Sequence, residues 1–133
     1  MPDTLSITST PAEGNAAVTV FHLEGRLDAS GEEPLCEHAR QAFKEGVKWL
    51  LLDFNGLTFI SSAGLRALHN IFRMCTPDEE IISARKEGKP YKTPYFKIAA
   101  ARPEVYSVLN IAGFLHYIPF YPTMEDALAS FAA

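Results

Sequence analysis

The sequence predicts a single α/β domain with a mixed, mostly parallel β-sheet, covered by about four helices and opened by an N-terminal β-hairpin. The chain of 133 residues has the length of one ordinary domain, and its 47% hydrophobic and 21% charged residues are a globular composition. After an initial pair of strand candidates, apolar strand-like runs alternate with runs of helical periodicity. We therefore expect one domain over residues 1–133.

The first two strand candidates form the predicted hairpin. Residues 4–8, TLSIT, are a weak strand candidate, and PAEGN at 11–15 supplies turn residues. The second strand lies within AAVTVFHLEGRLD at 16–28, a β-branched and aromatic-rich run that is typical of a strand covered on both faces. We expect this strand to end at Gly25.

A helix and a buried strand are predicted next. The run SGEEPLCEHARQAFKEG at 30–46 has Ser30 as its candidate N-cap and Pro34 in its first turn. The short apolar run VKWLLLDF at 47–54 predicts the central strand, because the turn residues NGL at 55–57 follow it.

The second half of the chain continues the alternation after one irregular segment. Residues 76–94 contain three prolines and mixed charges, which favours a solvated helix extension and a mobile loop or insertion; a specific binding surface is the alternative. The remaining predicted elements are a strand at 95–101, a helix at 102–113, a strand at 114–120 and a helix capped by Thr123.

Two adjacent serines mark the junction between the central strand and the next helix, in TFISSAGLRALHNIF at 58–72. One serine suffices to cap a helix, at a gain of about 1 kcal/mol, so the second hydroxyl is available for another use. Right-handed crossovers bring the βα junctions of parallel strands to one edge of a sheet. Ser61 and Ser62 should therefore lie at an edge where functional sites form.

The chemistry of the serine pair can be read in two ways. A nucleophilic serine in G-x-S-x-G needs glycines on both sides, and no glycine stands two residues before Ser61 or Ser62, so we do not expect an enzyme. A serine at a helix N-terminus can instead accept phosphate, because the helix dipole favours negative charge there. The chain has no phosphate-binding loop of its own, so a partner kinase would be required.

Composition excludes several other function classes. The net charge of −4 gives no positive field for nucleic acids or anionic membranes. Cys36 and Cys75 have no spacing suited to a metal site, and we expect no metal or cofactor. No apolar stretch is long enough for a transmembrane helix, and the N-terminus does not resemble a secretory signal, so a cytoplasmic location is expected.

The motifs LEGRLDA at 23–29 and LLLDFNGLTFISSAGLRAL at 50–68 resemble the STAS domain of bacterial anti-sigma-factor antagonists. The resemblance covers nearly the whole chain, since GFLHYIPFYPTMEDAL at 113–128 is similar to the closing strand and helix of that family. It implies that Ser62 is the residue phosphorylated by a partner kinase. Ser61, which stands where many relatives have aspartate, is the alternative acceptor.

The same resemblance implies the partners. They are an anti-sigma factor that is itself a serine kinase, and a metal-dependent phosphatase that removes the phosphate; the antagonist is expected to be a monomer. The partner-binding residues expected are Asp28, Ser61, Ser62, Gly64, Arg66 and His69, of which Arg66 and His69 are included because helical spacing turns them outward. Asp28 could equally be a turn or cap residue. The alternative function is a STAS interaction subunit of a lipid-transport ATPase complex, or a stress-signalling scaffold, without a phosphorylation switch.

Overall fold

The computed structural model describes residues 4–12 and 14–131 and has the predicted α/β fold. Its sheet has the order β1-β2-β3-β4-β5, with β1 and β2 antiparallel and the other pairs parallel. The strands are β1 Ser6–Ala12, β2 Asn15–Leu27, β3 Trp49–Ile60, β4 Phe96–Ala99 and β5 Phe120–Tyr121. The helices are α1 Ala29–Lys44, α2 Ser62–Cys75, α3 Asp78–Lys86, α4 Pro103–Ile111 and α5 Met124–Ser130. The N-terminal hairpin is present, and residue 13 of its predicted turn lies outside the described residues.

Helices cover both faces of the sheet, as the apolar strands predicted. One core contains buried side chains of β2, β3, α1, α2 and α4, such as Phe21, Leu52 and Leu68. A smaller core on the other face joins Val20 and Leu51 to side chains of α5. Because β2 and β3 contribute alternate residues to both cores, they form the rigid centre of the domain.

Strands β2 and β3 are longer than the sequence predicted, because glycines that were taken as strand ends lie within them. Gly25 has φ +98° beside an irregularity in the β2–β3 register, and β2 continues to Leu27. A Cβ atom at Gly56 would lie 2.7 Å from Cγ of Glu24, so this glycine permits close strand contact and does not end β3. The prediction that the two strands stop at Gly25 and Asn55–Leu57 was therefore wrong.

Helix α1 begins earlier than predicted. Its N-cap is Asp28, and Ser30, the expected cap, lies in the first turn and donates hydrogen bonds to the Asp28 carboxylate. Pro34 consequently lies in the second turn and not the first.

The segment 76–94 contains a helix of its own and is not an extension of α2. Thr76, the residue before Pro77, has extended backbone angles, as expected from the steric bias of proline against a helical residue before it, and α2 ends there. The Glu80 carboxylate then accepts hydrogen bonds from Tyr91 Oη (2.8 Å) and Tyr95 Oη (2.5 Å). These bonds attach α3 to the chain that leads into β4.

The C-terminal elements differ from prediction in one place. A short 3₁₀ helix, Phe114–His116, takes up the first three residues of the predicted strand at 114–120, and only Phe120–Tyr121 pairs with β4. Phe114 is buried in the larger core, which accounts for an apolar run that is not a strand. The predicted cap of α5 is confirmed, since Thr123 Oγ1 accepts a hydrogen bond from the Asp126 N–H at 3.1 Å.

A polar network connects the first three strands. His22 Nδ1 lies 2.7 Å from Asp53 Oδ2, and His22 Nε2 lies 3.1 Å from Thr10 Oγ1. Asp53 Oδ1 also accepts a hydrogen bond from the Asn55 N–H. This arrangement of hydroxyl, imidazole and carboxylate was missed from the sequence, because the residues are 12 and 31 positions apart.

Gly64, in the first turn of α2, is buried against the end of β2. A Cβ atom there would lie 2.6 Å from the Leu27 carbonyl oxygen and 2.9 Å from Leu27 Cγ. Backbone cannot yield as a flexible side chain can, so only glycine fits here without a shift of the helix.

We expect Gly64→Ala to lower the free energy of unfolding by about 1–3 kcal/mol, despite the better helix propensity of alanine. Gly31→Ala in α1 is the matched control, because its Cβ would meet the side chain of Leu5, with the nearest atom, Cδ2, at 3.1 Å. Urea unfolding followed by fluorescence of the single tryptophan, Trp49, measures both variants. Equal stability of the two variants would show that the contact with Leu27 does not constrain α2.

Candidate functional site

The site lies where the carboxyl ends of β2 and β3 meet. The two strands pair in parallel up to Leu27 and Ile60, and the Ser61 N–H donates a hydrogen bond to the Leu27 carbonyl at 3.0 Å. Asp28 and Ser61 each follow directly after a paired strand end. The structure thus brings the two predicted motifs to one edge of the sheet.

Ser61 has a structural role at this edge. It is the N-cap of α2, has extended backbone angles, and accepts a hydrogen bond from the Gly64 N–H at 3.3 Å through its hydroxyl. This satisfies one of the N–H groups that a helix start leaves without a partner.

Ser62 is the first residue of α2 and is exposed. Among the described residues, its hydroxyl forms no side-chain hydrogen bond that would hold it in place. The first turn of α2 contains no acidic residue, so the positive end of its dipole has no carboxylate on the same helix. An anion on this hydroxyl would therefore be favoured by the helix dipole.

Asp28 caps α1 with one carboxylate oxygen and leaves part of its side chain exposed. Oδ1 accepts hydrogen bonds from the Ser30 N–H (3.1 Å) and hydroxyl (2.8 Å), while Oδ2 lies 3.8 Å from Arg26 Nε. The Ser30 hydroxyl, with a smaller contribution from Arg26, lowers the pKa of Asp28 below its ordinary value. The capping alternative considered for Asp28 is thus observed, and the side chain remains 30% exposed beside the junction.

Arg26 is a neighbour of the site that sequence reasoning missed. Its guanidinium carbon lies 3.9 Å from the centroid of the Phe59 ring, and Arg26 pairs with Phe59 in the strand register. Thr58 Oγ1 donates a hydrogen bond to the Gly25 carbonyl one step before this pair. The stacking places a cation close to Asp28 at the ends of both strands.

Arg66 forms an ion pair between α2 and α1. Its Nε and Nη2 donate to the two carboxylate oxygens of Glu32 at 2.6 and 2.9 Å. This two-point contact lowers the pKa of Glu32 and raises that of Arg66. Arg66 is exposed, as expected, and it also orients the starts of both helices.

The other two expected contact residues differ in accessibility. Gly64 is buried, and packing against Leu27 is sufficient reason for a glycine there. His69 is exposed two turns after Ser62, with its Nδ1 3.5 Å from Tyr117 Oη and its ring edge-on to that of Tyr117.

Other kinds of site receive little support. Among the described residues, no group of three His, Cys, Asp or Glu side chains could hold a metal ion, and neither Cys36 nor Cys75 is in a disulfide. No helix in the described part of the chain is long and apolar enough to cross a membrane. A hollow of about 410 Å³ near Val47 and Tyr95 lies at the opposite end of the sheet, where β3 and β4 begin, and so does not belong to this junction.

Solved structures with this fold include regulators and a transporter-family protein. An anti-sigma factor antagonist from Mycobacterium paratuberculosis has a TM-score of 0.76 at 21% identity, covering 100% of this chain and 98% of its own. The Bacillus cell fate determinant SpoIIAA in its phosphorylated form has a TM-score of 0.60 at 18% identity, covering 93% and 97%. A sulfate transporter family protein from Wolinella succinogenes has a TM-score of 0.63 at 18% identity, covering 87% and 85%.

Among curated protein sequences, none matches this chain at a significant level. The sequence profile of the STAS domain matches residues 9–79, which include β2, β3, α1, α2 and the whole serine junction. This match spans more than half of the 133 residues. The chain therefore belongs to the STAS domain family.

Proposed function

We propose that the protein is an anti-sigma-factor antagonist that binds a kinase-type anti-sigma factor and is released when that kinase phosphorylates Ser62. The observation that carries the proposal is the division of roles between the two serines. Ser61 caps α2, whereas Ser62 presents an exposed hydroxyl at the helix start. STAS domains are typically binding domains and not enzymes, which agrees with this role.

The charges around the junction suit a switch. A phosphate on Ser62 would add about −1.5 to −2 charges to an edge of the sheet where the carboxylates of Asp28 and Glu32 already pair with Arg26 and Arg66. The fold can accept this charge at the start of α2, whereas a partner packed on the same surface would be repelled. A metal-dependent phosphatase would restore binding by removing the phosphate. The proposed binding surface consists of Asp28, Ser62, Arg66 and His69. Ser61 and Gly64 fix the start of α2 beneath this surface.

The first experiment is a pull-down of partners from a native lysate by the untagged protein coupled to a resin, with and without ATP, followed by phosphosite mapping. We expect a small ATPase-domain protein to be recovered without ATP, and phosphate to appear on Ser62 when ATP is present. Recovery of a membrane ATPase complex with unmodified Ser62 would contradict the switch and favour the transport-subunit alternative.

With the kinase purified, variants of Ser62 test the switch directly. Ser62→Ala should bind with the wild-type Kd and resist phosphorylation, whereas Ser62→Asp should bind about tenfold more weakly or worse, because it adds charge at the interface. Isothermal titration calorimetry measures the Kd of each variant. Equal affinity of wild type, alanine and aspartate variants would overturn the proposal.

Replacement of the two serines should also have different effects on the free energy of unfolding. Ser61→Ala removes the cap and should lower the free energy of unfolding by about 0.5–2 kcal/mol. Ser62→Ala, at an exposed position, should change it by less than about 0.5 kcal/mol. Urea unfolding of both variants gives the comparison, and a larger loss for Ser62→Ala would reverse the roles assigned to the serines.

A further inference from the structure

An apolar groove lies beside α2, on the side away from α1. It is lined by His69, Phe72, Ile81, Tyr91 and Tyr117 and has a volume of about 270 Å³. Two of its walls come from α3 and from Tyr91, both within the segment 76–94 that was expected to be a loop or insertion. The segment thus helps to build a concave surface.

The walls of the groove are held in place by contacts within the chain. The rings of Phe72 and Tyr117 pack edge-on with centroids 4.7 Å apart, and Tyr91 packs edge-on against Phe72 at 6.3 Å. Tyr91 is further fixed by its hydrogen bond to Glu80. Binding of a partner in this groove would therefore cost little conformational entropy of these side chains.

The size of the groove limits what it can receive. Pockets for small-molecule ligands usually have volumes of about 300–1,000 Å³, so this groove is below that range. A groove lined mainly by aromatic and aliphatic side chains fits one large apolar side chain of a protein partner. Such buried anchors supply much of the binding energy of protein interfaces.

The groove is continuous with the surface of the serine junction. At 100° per residue, Ser62, Arg66, His69 and Arg73 lie within an arc of ~60° on the outward face of α2. His69 belongs both to this stripe and to the lining of the groove. A partner that follows the stripe from Ser62 therefore reaches the groove after two helical turns, about 10 Å.

Charges of both signs lie near the groove. Asp78, Glu79 and Glu80 begin α3, and the Glu80 carboxylate accepts hydrogen bonds from Tyr91 and Tyr95, whereas two nearby cations form no ion pair. Arg73 follows Phe72 on α2, and Lys92 follows Tyr91; both are exposed. Neither forms an ion pair within residues 4–12 and 14–131, in contrast to Arg66, which is paired with Glu32. Carboxylates on a partner would complement these cations.

We propose that this groove receives an apolar side chain flanked by carboxylates from the same kinase-type anti-sigma factor that contacts Ser62. The assignment rests on the proposed function and adds a second contact that determines which kinase is bound. The occupant follows from the apolar lining, the unpaired cations and the continuity along α2.

Neighbouring isoleucines on α3 provide a matched test. Ile81 lines the groove, whereas Ile82 is 50% exposed and does not. Calorimetric titration with the purified kinase should give a Kd at least about tenfold weaker for Ile81→Glu and within about twofold of wild type for Ile82→Glu. Thermal unfolding of both variants checks that they are folded.

A second pair keeps the test decisive if Ile81→Glu does not fold. Arg73→Glu should slow association with the kinase several-fold at low salt, and Lys44→Glu, an equal charge change in the last turn of α1, should not. Stopped-flow measurement at two salt concentrations gives these rates. We expect the difference between the variants to shrink at the higher salt.

The outcomes separate the two proposals. The groove assignment is wrong, and the switch stands, if the kinase binds and phosphorylates Ser62 but a folded pair shows no difference. That means equal Kd for Ile81→Glu and Ile82→Glu, or equal association rates for Arg73→Glu and Lys44→Glu. If no kinase binds or phosphorylates the wild-type protein, the proposed function fails, and the groove assignment fails with it.

Discussion

The carbonyl group of Leu27 is the point on which the geometry of the site depends. It accepts the hydrogen bond of the Ser61 N–H and lies against Gly64, so the end of β2 directly fixes the start of α2. Asp28, the next residue, caps α1. Two helices therefore begin beside one another because two parallel strands end together, and their N-termini cannot move apart without breaking the β2–β3 pairing.

This constraint would allow a residue at a helix start to be modified, as proposed for Ser62, without loss of stability. Phosphorylation of a capping serine would change the acceptor that holds the first turn, and the fold would then respond to the switch. Here Ser61 caps the helix, so that Ser62 can face solvent one residue later. The proposed phosphorylation would then change the surface charge while the hydrogen bonds of the junction remain.

Much of the fold was predictable from periodicity, and the errors have physical causes. Gly25 and Gly56 were taken as strand ends because a glycine in a strand irregularity or at a close approach looks the same in sequence as a glycine in a turn. Helix α3 buries none of its residues completely, so it has little amphipathic signal to distinguish it from a loop.

The position of the serine junction was predicted correctly from two signals. The hydrophobic period changes there from that of a strand to that of a helix, and the right-handed crossover rule predicts at which edge of the sheet such a βα junction lies. The contact of Arg66 with Glu32 joins residues 34 positions apart, and no local pattern indicates it. The groove beside α2 combines three separate segments and could not be inferred for the same reason. Local signals thus predict where a site lies, whereas its walls depend on tertiary packing.

The spacing along α2 separates affinity from switching in the proposed interface. The groove residues on α2, His69 and Phe72, follow Ser62 by about 10 and 15 Å along the helix. Both distances exceed the Debye length at physiological ionic strength, about 8 Å, so a phosphate on Ser62 would have a weakened effect on a contact in the groove. The groove would then contribute equally to kinase binding by the unmodified and the phosphorylated protein. The junction alone would set the ratio of the two affinities. A change in segment 76–94 could therefore alter the choice of kinase without changing the switch.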